Sequence, residues 1–191
     1  PSKIVCIGRN YVEHIKELNN EIPAEPVFFF KPNSAISDTL CSFHGEQLHY
    51  EGEICFVYEH GTLSAVGFGL DITKRTLQSS LKAKGLPWER AKAFDGSALF
   101  SKFVETGEDI DLLRLELSVN DTLVQSGGVD LMIYRPSAIL EHLMSFITLE
   151  DGDILMTGTP KGVGTINQEE RFCGKILLTD QCLACAEWRA V

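Results

Sequence analysis

The stretch His49-Tyr50-Glu51-Gly52-Glu53-Ile54-Cys55-Phe56-Val57-Tyr58 does most to limit how this chain can fold. It is rich in aromatic and aliphatic residues and free of proline, the pattern of a β-strand. Side chains alternate along a strand, so Tyr50, Ile54, Phe56 and Tyr58 share one face and Glu51 and Glu53 the other. The first face demands a core. The second sets two carboxylates about 7 Å apart, where they repel. Two surroundings relieve that repulsion. One is water on an exposed strand; the other is a hard divalent cation such as magnesium, manganese or calcium, which takes oxygen ligands. A third acid, Asp71, lies in a second strand-like stretch, Gly67-Phe68-Gly69-Leu70-Asp71-Ile72-Thr73.

Around these segments the chain reads as mostly strand. Lys3–Gly8, Pro26–Lys31, Leu48–Tyr58, Ala65–Asp71 and Asp153–Thr157 have strand character, and Lys175–Val191 reads as a closing strand pair. Asn120-Asp121, between Leu115–Val119 and Thr122–Gln125, is a hairpin signal. Helices are expected over Asn10–Asn19, over Thr73–Lys84 with Gly85 as its stop, and within Asp130–Phe146 with Pro136 in the first turn. Strands and helices do not alternate regularly, so a doubly wound sheet is not expected; the fold class is α+β, mostly β with a few helices. No repeat, linker or low-complexity tract divides the chain, and residues 1–191 are expected to form one domain.

Composition narrows the partners. A net charge of -10 leaves no basic footprint for nucleic acid. No apolar run approaches the length of a membrane span. The start, Pro1-Ser2-Lys3-Ile4-Val5-Cys6-Ile7-Gly8, has no signal-peptide layout. Six cysteines, mostly inside apolar runs, point to a reducing compartment, read as cytoplasmic, without disulfides. Cys182 and Cys185 are three apart, so on a regular strand they face opposite ways and make a poor metal or redox pair.

Other residues are candidates by their own chemistry. His14 and Glu17, three apart on a helix, share a face and can hydrogen-bond, which orients an imidazole as a general base; a plain surface pair is the alternative. Lys92, in Ala91-Lys92-Ala93-Phe94, must find an anion or reach water along its stem. Thr157-Gly158-Thr159-Pro160-Lys161-Gly162-Val163-Gly164 lacks the Gly-Lys-Ser/Thr end of a phosphate-binding loop. It reads as a turn that brings backbone amides and the Thr159 hydroxyl to a substrate, or as a purely structural turn.

Six segments, in order, resemble the fumarylacetoacetate hydrolase family and its small single-module branch. They are Ile7-Gly8-Arg9-Asn10-Tyr11 with His14 and Glu17, Pro26-Val27-Phe28-Phe29-Phe30-Lys31-Pro32, His49–Glu53, Leu70-Asp71-Ile72-Thr73-Lys74-Arg75, Gly85–Asp95, and Leu155–Gly164. The stretch from Tyr58 to Ala65 is short where relatives often carry a helix, and the likeness fades from Asn167 onward. The resemblance implies a mixed β-sandwich roll, bound magnesium or manganese (calcium as a substitute), and a homodimer. It makes Glu51, Glu53 and Asp71 the metal ligands. It makes His14 and Glu17 a water-activating pair on a lid, and Lys92 the partner of a substrate carboxylate or enolate. Arg9 and Lys31 become further substrate-binding candidates.

The activity it implies is that of a metal-dependent hydrolase or lyase on small 2-oxo acids. Such an enzyme cleaves a carbon–carbon bond of acylpyruvates, or decarboxylates oxaloacetate, through a pyruvate enolate held at the metal. Keto–enol tautomerisation of oxaloacetate uses the same intermediate and is the alternative; a non-catalytic binding member of the fold is the other. Three ionised carboxylates and one divalent cation leave such a site at -1 before an anionic substrate enters, so basic residues are needed there.

Overall fold

The computed structural model describes residues 1–18, 23–107 and 109–191. In chain order the elements are β1 (Lys3–Gly8), α1 (Val12–Glu17), β2 (Val27–Pro32), β3 (His49–Tyr50), β4 (Gly52–Glu59), β5 (Thr62–Asp71), α2 (Arg75–Ala83), α3 (Glu89–Lys92), β6 (Ala98–Phe100), β7 (Val104–Glu105), β8 (Leu113–Val119), β9 (Thr122–Gly128), α4 (Pro136–Met144), β10 (Asp153–Met156), β11 (Gly164–Thr165), β12 (Arg171–Leu178) and β13 (Gln181–Arg189). The main sheet runs β2-β1-β10-β4-β5-β6, with β7 on another stretch of β5. Only β1 and β10 pair in parallel in it. A four-stranded antiparallel sheet, β13-β12-β8-β9, packs against it, and β11 pairs with β3.

The main sheet is buried on both faces, which is why its strands are nearly continuous apolar runs. Val5, Ile7, Ile54, Phe56, Phe68 and Leu155 point into the sandwich. There they meet Leu113, Leu115, Leu117, Phe172 and Ile176 of the second sheet. The alternate residues Ile4, Cys6, Phe29, Cys55, Ile154 and Met156 point the other way, under Trp88, Phe100 and Phe103. Glu53 precedes Cys55 by two, so it lies on this second face. The curled, mostly β sandwich, with four short α-helices among the described residues, is the fold class the sequence indicates.

The expected strands and helices form, with revised ends. The strand expected over Leu48–Tyr58 breaks at Glu51: the Glu51 carbonyl accepts from the Asp71 amide (2.8 Å), and the Gly52 amide turns to the Gln125 side chain (2.8 Å). The hairpin at Asn120-Asp121 is present, with φ of 49° and 66°, the left-handed pair a type I′ turn needs. The helix expected from Asn10 occupies Val12–Glu17; its expected stop, Asn19-Asn20, lies outside the described residues. In Asp130–Phe146 a 3-10 turn over Val129–Leu131 precedes α4, which starts at Pro136.

One local expectation is overturned. A β-bulge shifts the β12–β13 register so that Ile176 faces Ala184 and Leu177 faces Cys182, leaving Leu183 as the extra residue. Cys182 and Cys185 therefore both lie on the exposed side rather than on opposite faces.

Candidate metal centre and acid–base pair

Glu51 and Glu53 flank Gly52 at the start of β4, and Asp71 ends β5. The β4–β5 register sets Gly52 opposite Leu70 and Glu53 opposite Gly69. One carboxylate oxygen from each acid lies within 4.8 Å of the other two, and they are the only such group among the described residues. They are 6%, 1% and 0% exposed, so the solvated-acid alternative does not hold.

Buried carboxylates need cations, and three are present. Lys92 Nζ donates to Glu51 Oε2 (2.9 Å), Asp71 Oδ2 (2.6 Å) and Thr73 Oγ1 (2.6 Å). Lys31 Nζ pairs with Asp71 Oδ1 at 2.8 Å, and Arg75 Nη2 with Glu51 Oε1. Burial alone would raise the Glu51 carboxyl, but Lys92 and Arg75 hold it well below the usual carboxylate range. Burial likewise opposes the Lys92 ammonium, yet Asp71 and Glu51 raise its pKa on balance. Among the described residues Glu53 has no such partner. Burial, then the Asp71 and Glu51 charges, push it well above the ordinary value, against one helpful bond from the Gly158 amide to its Oε2 (2.7 Å).

These observations test whether a divalent cation fits. Three buried oxygens converge, and an ammonium already bridges two of the acids. The third cannot ionise comfortably without more positive charge. An all-oxygen donor set of this kind suits magnesium or manganese.

The helix α1 sits over this centre. Asn10, 1% exposed, fixes its entry: Nδ2 donates to the Tyr134 and Thr157 carbonyls (2.9 Å each), and Oδ1 accepts from the Tyr134 amide at 2.8 Å. His14 Nδ1 meets Glu17 Oε2 at 3.2 Å. The imidazole is buried and lines the same pocket as the acids. Glu17 is itself held by the Gly162 amide, at 3.0 and 3.2 Å from its two oxygens. The loop after β10 thus touches both the acids, through Gly158, and the His14–Glu17 pair, through Gly162. Gly158 adopts φ +92°, and a Cβ there would sit 2.9 Å from Asn10 Cβ, so this close approach requires glycine.

Arg9 also lines the pocket, in a left-handed backbone conformation (φ 59°), and its buried Nε has no hydrogen-bond partner among the described residues. Lys31 does not line it. The residue is 0% exposed and lies behind Asp71, its ammonium on the Asp71 carboxylate and the Lys92 carbonyl. It is a supporting charge, where the sequence suggested a substrate contact. Thr159 lines the pocket, but its hydroxyl donates to the Gly52 carbonyl (2.8 Å) and accepts from Gln125 (2.8 Å).

Sequence reasoning gave no role to Arg75 and Gln78, whose side chains bond to each other at 2.9 Å and line the pocket. A signal existed. The two stand three apart in the first turns of the helix that follows Asp71, so they share a face turned back toward it. Lys92 owes its place to α3, a single turn tied to α2 by the bond from the Lys74 amide to the Ala91 carbonyl (3.1 Å).

Comparison with known proteins finds a family and several similar chains. The family described as fumarylacetoacetate (FAA) hydrolase C-terminal matches residues 3–180, past the point where the sequence likeness was expected to fade. The mitochondrial oxaloacetate tautomerase of Saccharomyces cerevisiae is 36% identical, over 92% of this chain and 86% of its own. The mitochondrial oxaloacetate decarboxylase of Dictyostelium discoideum is 37% identical, over 86% and 84%. The fumarylpyruvate hydrolase of Pseudomonas aeruginosa, solved with Mn2+ and pyruvate, superposes with a TM-score of 0.88 at 28% identity, over 99% of this chain and 89% of that one.

Proposed function

This chain belongs to the fumarylacetoacetate hydrolase family, and from that premise we propose that it is a divalent-metal-dependent enzyme acting on small 2-oxo acids. It decarboxylates oxaloacetate or hydrolyses the carbon–carbon bond of acylpyruvates, both of which leave a pyruvate enolate. The observation that carries this reading is the convergence of three buried carboxylates beneath a histidine–glutamate pair. Magnesium or manganese held by Glu51, Glu53 and Asp71 would supply Lewis-acid polarisation of the substrate's carbonyl.

The protein's own residues do the rest. The Lys92 ammonium meets negative charge that develops on the enolate oxygen, in a site where burial strengthens each such contact. His14, with Nδ1 on Glu17, presents its other ring nitrogen to the pocket as the base for water or for a C3 proton. The buried face of α1 that carries it keeps bulk water from the enolate. Charge favours a dicarboxylate. Lys31, Lys92 and Arg75 match the three acids, so a bound divalent cation leaves two positive charges for the two carboxylates of oxaloacetate. Arg9 adds another at the pocket wall.

Tautomerisation of oxaloacetate is the second reading. It is favoured by the named activity of the yeast relative and by a pair that need only move a proton. One experiment separates the two. Metal-loaded protein is incubated with oxaloacetate and with a short acylpyruvate, and enol absorbance and pyruvate release are followed separately. The leading reading predicts pyruvate from both, with acylpyruvate hydrolysis lost in His14→Ala and Mn2+ binding retained. Enol relaxation without pyruvate overturns it in favour of the tautomerase. We further propose that residues 1–191 act as one catalytic domain, as a homodimer, in a reducing compartment. Six free cysteines support the last point, although the yeast and Dictyostelium relatives are named as mitochondrial. Among the described residues no helix is long and apolar enough to cross a membrane.

A further inference from the structure

Gln125 lies in β9 of the second sheet and is 1% exposed. Its Oε1 accepts from the Gly52 amide at 2.8 Å. Its Nε2 donates to Thr159 Oγ1 and to the Pro160 carbonyl, both at 2.8 Å. The partners fix the amide's orientation, since only an oxygen suits the Gly52 N–H and only an NH2 suits the Pro160 carbonyl. Thr159 Oγ1 closes the ring by donating to the Gly52 carbonyl at 2.8 Å.

Both ends of this ring bear on the site. Gly52 is the residue between Glu51 and Glu53. Thr159 and Pro160 belong to the loop whose Gly158 amide holds Glu53 at 2.7 Å and whose Gly162 amide holds Glu17. The loop lies so close to β9 that a Cβ at Gly162 would be 2.0 Å from the Val124 carbonyl oxygen, and one at Gly127 would be 2.8 Å from Pro160 Cβ. One buried amide from the opposite sheet therefore registers the strand carrying two acids against the loop that holds one of them and the base's partner.

We infer that Gln125 is a positioning residue for the metal centre and the acid–base pair, acting through Gly52 and the 158–162 loop and touching neither cation nor substrate. The inference rests on the metal reading above. Its test titrates Mn2+ into metal-free wild type, Gln125→Met, Gln125→Glu and Thr159→Val, followed by electron paramagnetic resonance, with melting temperature and turnover on the same samples. Gln125→Met keeps the volume and removes all three bonds. Gln125→Glu keeps the Gly52 contact but sets an oxygen against the Pro160 carbonyl.

Groups that orient metal ligands typically change affinity about 10- to 100-fold when removed, and that loss is expected for both Gln125 variants, with kcat lowered. Thr159→Val should add little in the Gln125→Met background, because the two residues work through one ring. Ile176→Val, buried in the same sheet but outside the ring, should lower the melting temperature and leave Mn2+ affinity unchanged. A folded Gln125→Met that binds Mn2+ as wild type does overturns the inference. Should that variant fail to fold, unchanged affinity in Gln125→Glu and Thr159→Val overturns it equally. If wild type itself binds no Mn2+, the metal reading fails instead.

Discussion

Lys92 is the residue under greatest constraint. All three of its protons are donated, two of them to oxygens of acids that would bind a cation. An ammonium and a divalent ion compete for the same carboxylates, so a bound cation would free Lys92 from those oxygens to meet an anion beside them. Lys92→Met should therefore lower kcat by about 100-fold or more, the loss typical of one group that meets developing negative charge. Mn2+ affinity should hold or rise. A Lys92→Met protein that binds Mn2+ more weakly would mean the ammonium serves only to assemble the acids. In the sequence Lys92 stood out for its apolar neighbours, which told that it needed an anion or water without telling which. The role of Lys31 was not legible, because the carboxylate that buries it lies in another strand and meets it only through the pairing of the whole sheet.

At the scale of elements, strands and helices with their own pattern were readable and those without were not. β1, β4, β5 and the β8–β9 hairpin carry apolar runs or turn residues that fix them locally. The two- and three-residue strands β6 and β7 have no period to detect; β5 supplies their pairing. The bulge at Leu183 was invisible for a similar reason, since strand alternation presumes an unbroken ladder.

The β1–β10 pairing has its own clamp. Asp153, 1% exposed, takes the Ser2 amide and hydroxyl and the Lys3 amide on Oδ1 (2.9, 2.8 and 3.1 Å). Oδ2 takes the Glu150 amide (2.9 Å) and the Lys3 ammonium (2.5 Å). Burial alone would raise this carboxyl, but the donated bonds and Lys3 hold it well below the usual range. A depressed carboxyl stabilises the fold above its unfolded pKa of about 4 and ceases to as pH falls through the lower folded value. Asp153→Asn turns an NH2 toward Glu150 N–H and Lys3, and should cost about 2 kcal/mol at neutral pH, a drop of roughly 4–8 °C in Tm. The deficit should be constant from pH 5 to 8 and shrink only below about pH 4. Thermal melts across that range check it; a deficit that vanishes near neutrality would show the clamp to be unimportant.

For the whole molecule, the sandwich delivers the site by burying both faces of one sheet, one against the second sheet and the other beneath Trp88, Phe100 and Phe103, of which Trp88 also lines the pocket. A homodimer is expected in solution, and light scattering at micromolar concentration should give twice the chain mass; a monomer with full activity would remove the partner from the account. We propose that Glu51, Glu53 and Asp71 together hold one catalytic divalent cation. The most direct test is calorimetric titration of Mn2+ into metal-stripped wild type and Glu53→Gln, with oxaloacetate turnover measured on the same samples. One Mn2+ should bind per wild-type chain, with turnover restored in step with binding, and both should be lost in Glu53→Gln. Full turnover by metal-free protein would contradict it.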